Sequence, residues 1–169
     1  MINDLEKKIF NVKQSSRNLS MLSSHQRENS LELLAKKLLS NKYSIIQVNN
    51  EELQIASQNG LDAHILDRMK ITEETINRMV ESLNNVKDLP DSVSEIIDSK
   101  IRDNGLIVNK VRVPLGVLGV IFESRPNVVI EIASLSIKSG NALVMRGGSD
   151  CIKTNLFLFD LVKESLDES

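Results

Sequence analysis

Several residue types and patterns are scarce in this chain, and each absence disfavours a class of protein. Only 3% of the residues are aromatic and tryptophan is missing, which argues against aromatic platforms that stack nucleic-acid bases. The single cysteine, Cys151, cannot form an intramolecular disulfide and fits a reducing compartment. No run approaches the roughly 18 apolar residues of a membrane span, and the charged residues 1–6 do not resemble a signal peptide. We therefore expect a cytoplasmic protein with no membrane partner.

A surplus of one charge is also missing. The 169 residues carry 21 basic and 23 acidic side chains, which gives a formal net charge of −2. Nucleic-acid binding proteins show a clustered basic surplus, so we expect no nucleic-acid partner. A hydrophobic content of 41% is, in contrast, enough for a buried core, and the length suits one domain. No metal site is predicted.

Residues 1–94 show the periodicity of helices. A second helix is predicted to start at the cap Ser23-Ser24, and a later one opens at Thr72-Glu-Glu and is stopped by Pro90. The first helix is predicted from apolar residues on one face, namely Ile2, Leu5, Ile9 and Val12.

The middle of this helical region gives a different pattern. The short apolar run from Tyr43 to Val48 suggests a strand, and Asn50-Glu-Glu-Leu53 resembles the start of a helix. The charged pair at residues 51–52 is predicted to lie on a solvated helix face.

The second half of the chain is rich in strands. Residues 95–102 and 106–113 partly alternate between apolar and polar residues, and Asp103-Asn-Gly105 joins them. Asn-Gly supplies the positive φ angles of a type I′ turn, so we predict a β-hairpin.

Two further strands, at residues 116–122 and 142–145, are nearly continuous apolar runs, which is typical of parallel strands. A helix is predicted between them at residues 126–139, and Ser149 is predicted to cap a last helix. Open α/β sheets bind ligands at the carboxyl ends of their strands. An arginine follows each strand, Arg125 and Arg146, which suggests an anionic ligand. Two parallel strands do not make a stable open sheet, so we expect the first part of a longer protein.

Long motifs in this half resemble gamma-glutamyl phosphate reductase. They are Arg112-Val-Pro-Leu-Gly-Val-Leu-Gly-Val-Ile-Phe-Glu-Ser-Arg-Pro-Asn127, Lys138-Ser-Gly-Asn-Ala142 and Arg146-Gly-Gly-Ser149, with Gly60-Leu-Asp-Ala-His-Ile-Leu-Asp-Arg-Met69 and Leu89-Pro-Asp91 upstream. The resemblance implies an α/β, aldehyde dehydrogenase-like fold. It divides the chain into a helical amino-terminal segment (1–94), a β-hairpin of the oligomerisation type (95–113) and the start of a Rossmann-like, NADP-binding domain (114–169).

The resemblance also implies a reaction, the NADPH-dependent reduction of L-glutamate 5-phosphate to L-glutamate 5-semialdehyde in proline biosynthesis. In that family a cysteine thiolate attacks the acyl phosphate, phosphate leaves, and hydride transfer reduces the thioester. The nucleophile and the turn that holds the cofactor pyrophosphate are expected beyond Ser169, so this chain is expected to lack the catalytic domain and to be inactive alone. The alternative is a non-catalytic truncated protein or binding module with a partial nucleotide site. Homo-oligomerisation is implied, with glutamate 5-kinase as a further candidate partner.

The predicted cofactor contacts lie after the two parallel strands. By resemblance, Arg146 takes the place of a lysine that contacts the adenosine ribose, and Ser149 stands where many NAD-using relatives carry a glutamate. A hydroxyl beside an arginine accepts a 2′-phosphate that a carboxylate would repel, which favours NADP(H). The alternative is a purely structural role, in which Gly147, Gly148 and Ser149 form only a turn and a helix cap. Glu123 and Ser124 are also predicted to contact the cofactor.

Arg125 and Asn127 compete for the substrate contact. By resemblance, the turn at residues 123–127 carries an asparagine that holds the oxyanion, and the two possible alignments place Arg125 or Asn127 there. A guanidinium would suit a phosphate on the reacting carbon, whereas the bland alternative is a surface pair of Arg125 with Glu123. No catalytic residue is predicted within the chain, because Cys151 stands where the family commonly has a small residue.

Overall fold

A computed structural model describes residues 4–169, with side chains described from Glu6 onward. The predicted Ile2 and the side chain of Leu5 therefore lie outside the described residues. A 3-10 turn at Ser149–Cys151 precedes the last helix. The elements follow the order α1 (Asp4–Met21), α2 (Ser24–Ser40), α3 (Lys42–Gln58), α4 (Ala63–Met69), α5 (Glu73–Lys87), β1 (Ile96–Ile101), β2 (Ile107–Val111), β3 (Val117–Ile121), α6 (Asn127–Lys138), β4 (Ala142–Arg146) and α7 (Ile152–Asp167).

The core forms where α2, α5, α6 and α7 pack together. Ser23 caps α2 through a capping box with Gln26, and the Thr72 hydroxyl caps α5, as the sequence predicts. None of the helices in residues 4–169 is long and apolar enough to cross a membrane. Apolar residues at helical spacing turn inward from all four helices and include Leu31, Leu34, Leu38, Ile76, Met79, Leu83, Val129, Ile130, Ile137, Leu158 and Leu161.

The predicted strand at residues 43–48 is wrong, because this segment lies in α3. The predicted helix start at Asn50 is wrong for the same reason, since Asn50 is in the middle of that helix. The residues that α3 buries follow helical spacing and are Ile45, Asn49, Glu52 and Ala56. Two of them, Asn49 and Glu52, are polar. A search for apolar periodicity therefore sees only a short apolar run.

Glu52 corrects the prediction that residues 51–52 form a solvated face. Glu51 is exposed, but Glu52 is buried and its carboxylate accepts hydrogen bonds at the start of α7. Its oxygens lie 2.6 Å from the Lys153 amide nitrogen, 2.8 Å from the Thr154 amide nitrogen and 2.6 Å from the Thr154 hydroxyl. A carboxylate is favoured at this position because the free N–H groups and the helix dipole leave partial positive charge there.

The β-hairpin is confirmed, with β1 and β2 antiparallel and Ile101 opposite Ile107. Its predicted type I′ turn is wrong, because Asn104 does not have the positive φ that such a turn requires at both central residues. The Gly105 amide instead bonds to the Arg102 carbonyl at 2.8 Å, and Gly105 alone takes a positive φ, of 82°. The loop is thus the three-residue kind, in which a left-handed glycine follows a tight turn.

The two apolar runs form the predicted parallel pair, with Val117 opposite Ala142 and Ile121 opposite Arg146. Leu143 and Met145 of β4 pack on the helical core, and alternation turns Arg146 to the opposite face. Part of that face is uncovered, since Ile121 is 77% exposed. The predicted cap at Ser149 is also wrong. Ser149 only starts the 3-10 turn. The N-cap residue of α7 is Cys151, which makes no side-chain cap bond, and Glu52 binds the α7 amides instead.

Two buried cations join the helices to the residues before β1. Arg27, 2% exposed, pairs with Asp91 at 2.6 Å and also donates to the Leu22 carbonyl. Lys138 pairs with Glu28 at 2.8 Å and donates to the Lys87 carbonyl at 2.6 Å. Because buried charges must be paired, these contacts fix the end of α5 against α2 and α6.

Candidate functional site

Two loops meet at the carboxyl edge of the parallel strands. The loop after β3 starts at Phe122, whose amide donates to the Arg146 carbonyl at 3.0 Å. The hydroxyl of Ser124 donates to the carboxylate of Asp150 across the two loops, at 2.9 Å. Since β3 and β4 are parallel and adjacent, their following loops lie side by side, as the sequence predicts.

The two glycines after β4 allow this close approach. A Cβ on Gly148 would lie 2.7 Å from the Ser124 hydroxyl oxygen. A Cβ on Gly147 would lie 2.5 Å from the Asn155 amide nitrogen and 2.9 Å from the Phe122 ring. All three distances are below any ordinary carbon contact, so a side chain at either position would force Ser124, or Asn155 and Phe122, to shift. Gly147 and Gly148 therefore permit the close packing at this edge.

Arg146 and Ser149 are both exposed on either side of the glycine pair. The neighbouring Asp150 carboxylate is hydrogen bonded to Ser124 on the other loop. Beneath the turn, the amide oxygen of Asn155 is buried and has no hydrogen-bond partner within the described residues. The edge therefore exposes the Arg146 guanidinium and the Ser149 hydroxyl to solvent, with only the backbone of Gly147 and Gly148 between them.

The turn before α6 separates the remaining predicted residues. The surface pair of Arg125 with Glu123 is not formed within residues 4–169, because the Glu123 carboxylate lies 3.6 Å from Arg68. Arg125 itself is exposed. The side-chain amide of Asn127 donates to Glu131 at 2.8 Å, one helical turn along α6. Arg125 is therefore available to a ligand, whereas Asn127 is already held by its own helix.

A charged cleft that the periodicity analysis missed lies beside this turn. It holds about 340 Å³ between the α4–α5 connection and the start of α6. Its lining residues are almost all polar or charged: Asp67, Arg68, Lys70, Thr75, Arg78, Met79, Asn127 and Glu131. The one available signal in the sequence was the family-like string at residues 60–69, which ends in Asp67-Arg68-Met69.

Asn49 holds the α4–α5 connection in place. This fully buried amide donates to the Met69 carbonyl at 2.9 Å and accepts from the Ile71 amide at 2.7 Å. It also lies 3.4 Å from the Thr154 hydroxyl at the start of α7. Because Glu52 binds the same turn of α7, α3 fixes the cleft and the β4 loop relative to each other.

Cys151 lies at the end of the 3-10 turn and is fully buried. Burial, with a smaller contribution from the nearby Glu52 carboxylate, raises the pKa of its thiol to about 11. A thiol with such a pKa is almost entirely protonated at neutral pH, and the thiolate is the reactive form. Its environment is therefore that of a structural residue.

This fold defines a class of protein. The methylmalonate-semialdehyde dehydrogenase of Oceanimonas doudoroffii superimposes on 93% of this chain with a TM-score of 0.70 and 17% sequence identity, and 30% of that chain is covered. At this identity the similarity concerns the fold alone. The chain has the aldehyde dehydrogenase-like fold that the family resemblance implies.

Within this class the chain matches one enzyme closely. The crystal structure of gamma-glutamyl phosphate reductase from Thermotoga maritima superimposes with a TM-score of 0.95 at 32% identity, which covers 99% of this chain and 40% of that chain. The gamma-glutamyl phosphate reductase of Anoxybacillus flavithermus is 38% identical over 168 residues, 99% of this chain and 41% of the relative. The resemblance to the amino-terminal part of gamma-glutamyl phosphate reductase is thereby confirmed. No family model matches the chain, which spans about two fifths of the length of these relatives.

Proposed function

We propose that this chain forms the amino-terminal part of an oxidoreductase that reduces L-glutamate 5-phosphate to L-glutamate 5-semialdehyde with NADPH. The observation that carries the proposal is the match over 99% of the chain, at a TM-score of 0.95, to a gamma-glutamyl phosphate reductase. The carboxyl edge of the parallel strands adds exposed groups that suit the two anionic ligands of such a reaction.

The β4 loop is the proposed cofactor contact. NADPH supplies the hydride when it is bound. Arg146 and Ser149 would hold its 2′-phosphate, because both side chains are exposed and neither adds negative charge. Gly147 and Gly148 keep the turn free of side chains, and Ser124 turns the Asp150 carboxylate toward the β3 loop. Glu123 and Ser124 line the same edge from that loop.

The β3 loop is the proposed substrate contact. Arg125 is exposed and forms no ion pair with another described residue, so its guanidinium is available to the acyl phosphate. A planar guanidinium binds two phosphate oxygens at once. Asn127 follows at the first position of α6 and would support the reacting carbonyl oxygen with the second amide hydrogen that Glu131 leaves unused.

We further propose that residues 1–169 alone do not turn over substrate. The sequence holds one thiol, and Cys151 is buried with a raised pKa, so no thiolate is presented to an acyl phosphate. Residues 114–169 would be the start of the NADP-binding domain and residues 1–94 its helical support. The hairpin at 95–113 is the proposed subunit contact of a homo-oligomer, because apolar residues such as Ile101 are exposed on it. Glutamate 5-kinase is a candidate partner by family resemblance only.

The test is a chimeric reductase in which residues 1–169 replace the matching part of the Thermotoga maritima enzyme. It should convert glutamate 5-semialdehyde, phosphate and NADP+ to glutamate 5-phosphate and NADPH. Residues 1–169 alone should not, with or without Cys151→Ala. A soluble, folded chimera without this activity would contradict the proposed reaction.

Cofactor choice is tested in the same chimera. Ser149→Glu should raise KM for NADP+ about tenfold more than KM for NAD+, because the carboxylate would stand beside the 2′-phosphate. Ser40→Glu is the matched control, because Ser40 is also exposed but lies far from the cofactor site. It ends α2 beside the carboxyl end of α7, and the length of α7, roughly 24 Å, separates that end from Ser149. Equal changes for the two cofactors would mean that Ser149 does not face the ribose.

A further inference from the structure

The charged cleft beside the β3 loop is not explained by the cofactor and phosphate contacts. Three cationic side chains line it from the α4–α5 side, Arg68, Lys70 and Arg78, and two carboxylates share it, Asp67 and Glu131. This is a net lining charge of about +1 on a surface that offers one apolar side chain, Met79. Such a lining suits a small ligand that carries both charges.

Two of the cations are available to a ligand. Arg68 already lies 3.6 Å from Glu123. Within residues 4–169, neither Lys70 nor Arg78 has a carboxylate at ion-pair distance, although Asp67 and Glu131 line the same cleft. Both side chains are exposed, so a charged ligand in the cleft can reach them.

The cations stand on a rigid support. Lys70 lies between Met69 and Ile71, the two residues whose backbone groups the buried Asn49 side chain binds. Thr72 then caps α5, the helix that carries Arg78. Neither segment has to be ordered when a ligand arrives, which lowers the entropic cost of binding.

The cleft also opens toward the reacting end of the proposed substrate. Asn127 lines the cleft and lies two residues from Arg125, at most about 7 Å along the chain. The five-carbon chain of glutamate spans about 5 Å when extended. Arg68 lines the cleft and its guanidinium lies 3.6 Å from the Glu123 carboxylate of the β3 loop, so the cleft adjoins that loop.

We propose that this cleft binds the α-ammonium and α-carboxylate groups of the substrate and so selects an α-amino acid. Arg78 and Lys70 bind the α-carboxylate, and Glu131 and Asp67 bind the α-ammonium. This assignment rests on the proposed function, because the γ-acyl phosphate would then lie at Arg125. A site for free phosphate would use the cations but would be opposed by the two carboxylates, so the two ligands are distinguishable.

Binding is tested on residues 1–169 by titrating 15N-labelled protein and following the backbone amide signals. L-Glutamine is the main probe, since it carries both α groups and a neutral γ-acyl group. Glutarate monoamide lacks the ammonium group, 4-aminobutanamide lacks the carboxylate, and inorganic phosphate tests an anion site. L-Glutamine should move the signals of Lys70, Arg78 and Glu131 with at least tenfold higher affinity than the other three.

Two outcomes of the titration would overturn the proposal. Phosphate that moves these signals as readily as L-glutamine would show a simple anion site. Signals that respond to none of the four probes, in a protein whose spectrum is dispersed, would show that the cleft takes no amino acid.

Kinetics of the chimeric reductase provide a second test that does not depend on the isolated chain. Arg78→Gln should raise KM for glutamate 5-semialdehyde about tenfold or more, with kcat and KM for phosphate and NADP+ nearly unchanged. Arg78→Lys should restore part of the loss, and exposed Arg17→Gln in α1 is the control. A rise in KM for phosphate instead, or no rise at all, would overturn the assignment. An inactive chimera would contradict the proposed reaction. The titration would still decide whether the cleft binds an α-amino acid.

Discussion

The packed helices α2, α3, α5, α6 and α7, here called the helical layer, use their apolar side chains differently from the two small sheets. Leu34, Leu38 and Ile130 in the helices are fully buried, whereas Ile101 in the hairpin is 75% exposed and Ile121 in β3 is 77% exposed. The helices therefore close a core with their own residues, and the strands leave apolar side chains exposed. This difference teaches that the packed core and the exposed apolar surface of the strands lie in separate parts of the chain.

Polar groups show the same division. In the helical layer, Asn49, Glu52 and Lys138 are buried, and each has hydrogen-bond partners from a distant part of the chain. In the hairpin, ion pairs such as Arg112–Glu95 and Lys100–Asp98 lie at the surface. Buried polar contacts fix one arrangement because an unpaired group costs free energy, whereas exposed ion pairs contribute little.

The largest difference between the two regions should come from removing one apolar side chain in each. Leu34→Ala in α2 should lower the free energy of unfolding by about 2–5 kcal/mol, because the cavity in a packed core fills only partly. Ile101→Ala in the hairpin should change it by less than about 0.5 kcal/mol. Urea denaturation measures both. A comparable loss for Ile101→Ala would show that the hairpin is buried in solution, for example against a second copy.

A smaller loss is expected at the buried carboxylate between α3 and α7. Glu52→Gln replaces a charged acceptor of two backbone amides by a neutral amide, which should cost about 1–3 kcal/mol. Glu51→Gln, at the exposed neighbouring position, is the matched control and should be nearly neutral. Urea midpoints compare the two variants. Equal effects would mean that the contact with α7 contributes no stability.

Acid should weaken the helical layer through Asp91 and Glu28. Burial raises the pKa of Asp91, but the Val93 amide and Arg27 outweigh it and hold the pKa below its usual value. The hydrogen bond from Lys138 lowers the pKa of Glu28. Both contributions are complete above the ordinary carboxyl pKa and are lost as the pH falls through the lowered values. Asp91→Asn should thus destabilise at pH 7 and converge with the wild type at low pH. If the difference in melting temperature between Asp91→Asn and the wild type were the same at pH 7 and at low pH, the assignment would be contradicted.

The smallest effect is expected in the hairpin turn. Gly105→Ala places a side chain at a φ of 82° and should cost about 1 kcal/mol locally. Hydrogen exchange of the β1 and β2 amides should rise, while that of α2 and α5 stays unchanged. Asp103→Ala, in the same loop at an ordinary φ, is the control, since the Asn104 side chain accepts a hydrogen bond from the Leu106 amide. Faster exchange throughout the chain would show that the hairpin and the helical layer unfold together.

Local rules predicted the second half of the chain well. The strands at 117–121 and 142–146 and the helix at 127–138 lie within one residue of their predicted limits. Gly140, just past α6, has a φ of 70°, which is the conformation that a glycine permits after a helix. These features depend on near neighbours in the chain. The roles predicted for Arg146, Ser149, Arg125 and Asn127 stay predictions, although the structure places all four near one edge of the sheet.

The errors arose where distant residues decide the structure. Asn49 and Glu52 sit on the buried face of α3 because partners 20 to 105 positions away accept or donate their hydrogen bonds. The hairpin loop shows the same limitation on a smaller scale. Asn-Gly permits more than one turn, and the pairing of Arg102 with Leu106 selects the one that forms.

The sequence by itself determined the alternation of strands and helices in the second half of the chain and the glycine turn at the carboxyl edge, because glycines and apolar periodicity act over a few residues. Only the tertiary structure decided that Glu52 would bind the start of α7. It also brought Lys70 and Arg78 to face Glu131 across a cleft. The physical reason is that a buried charge such as that of Glu52 is stable only beside the right partner, and folding alone determines which distant side chains become neighbours.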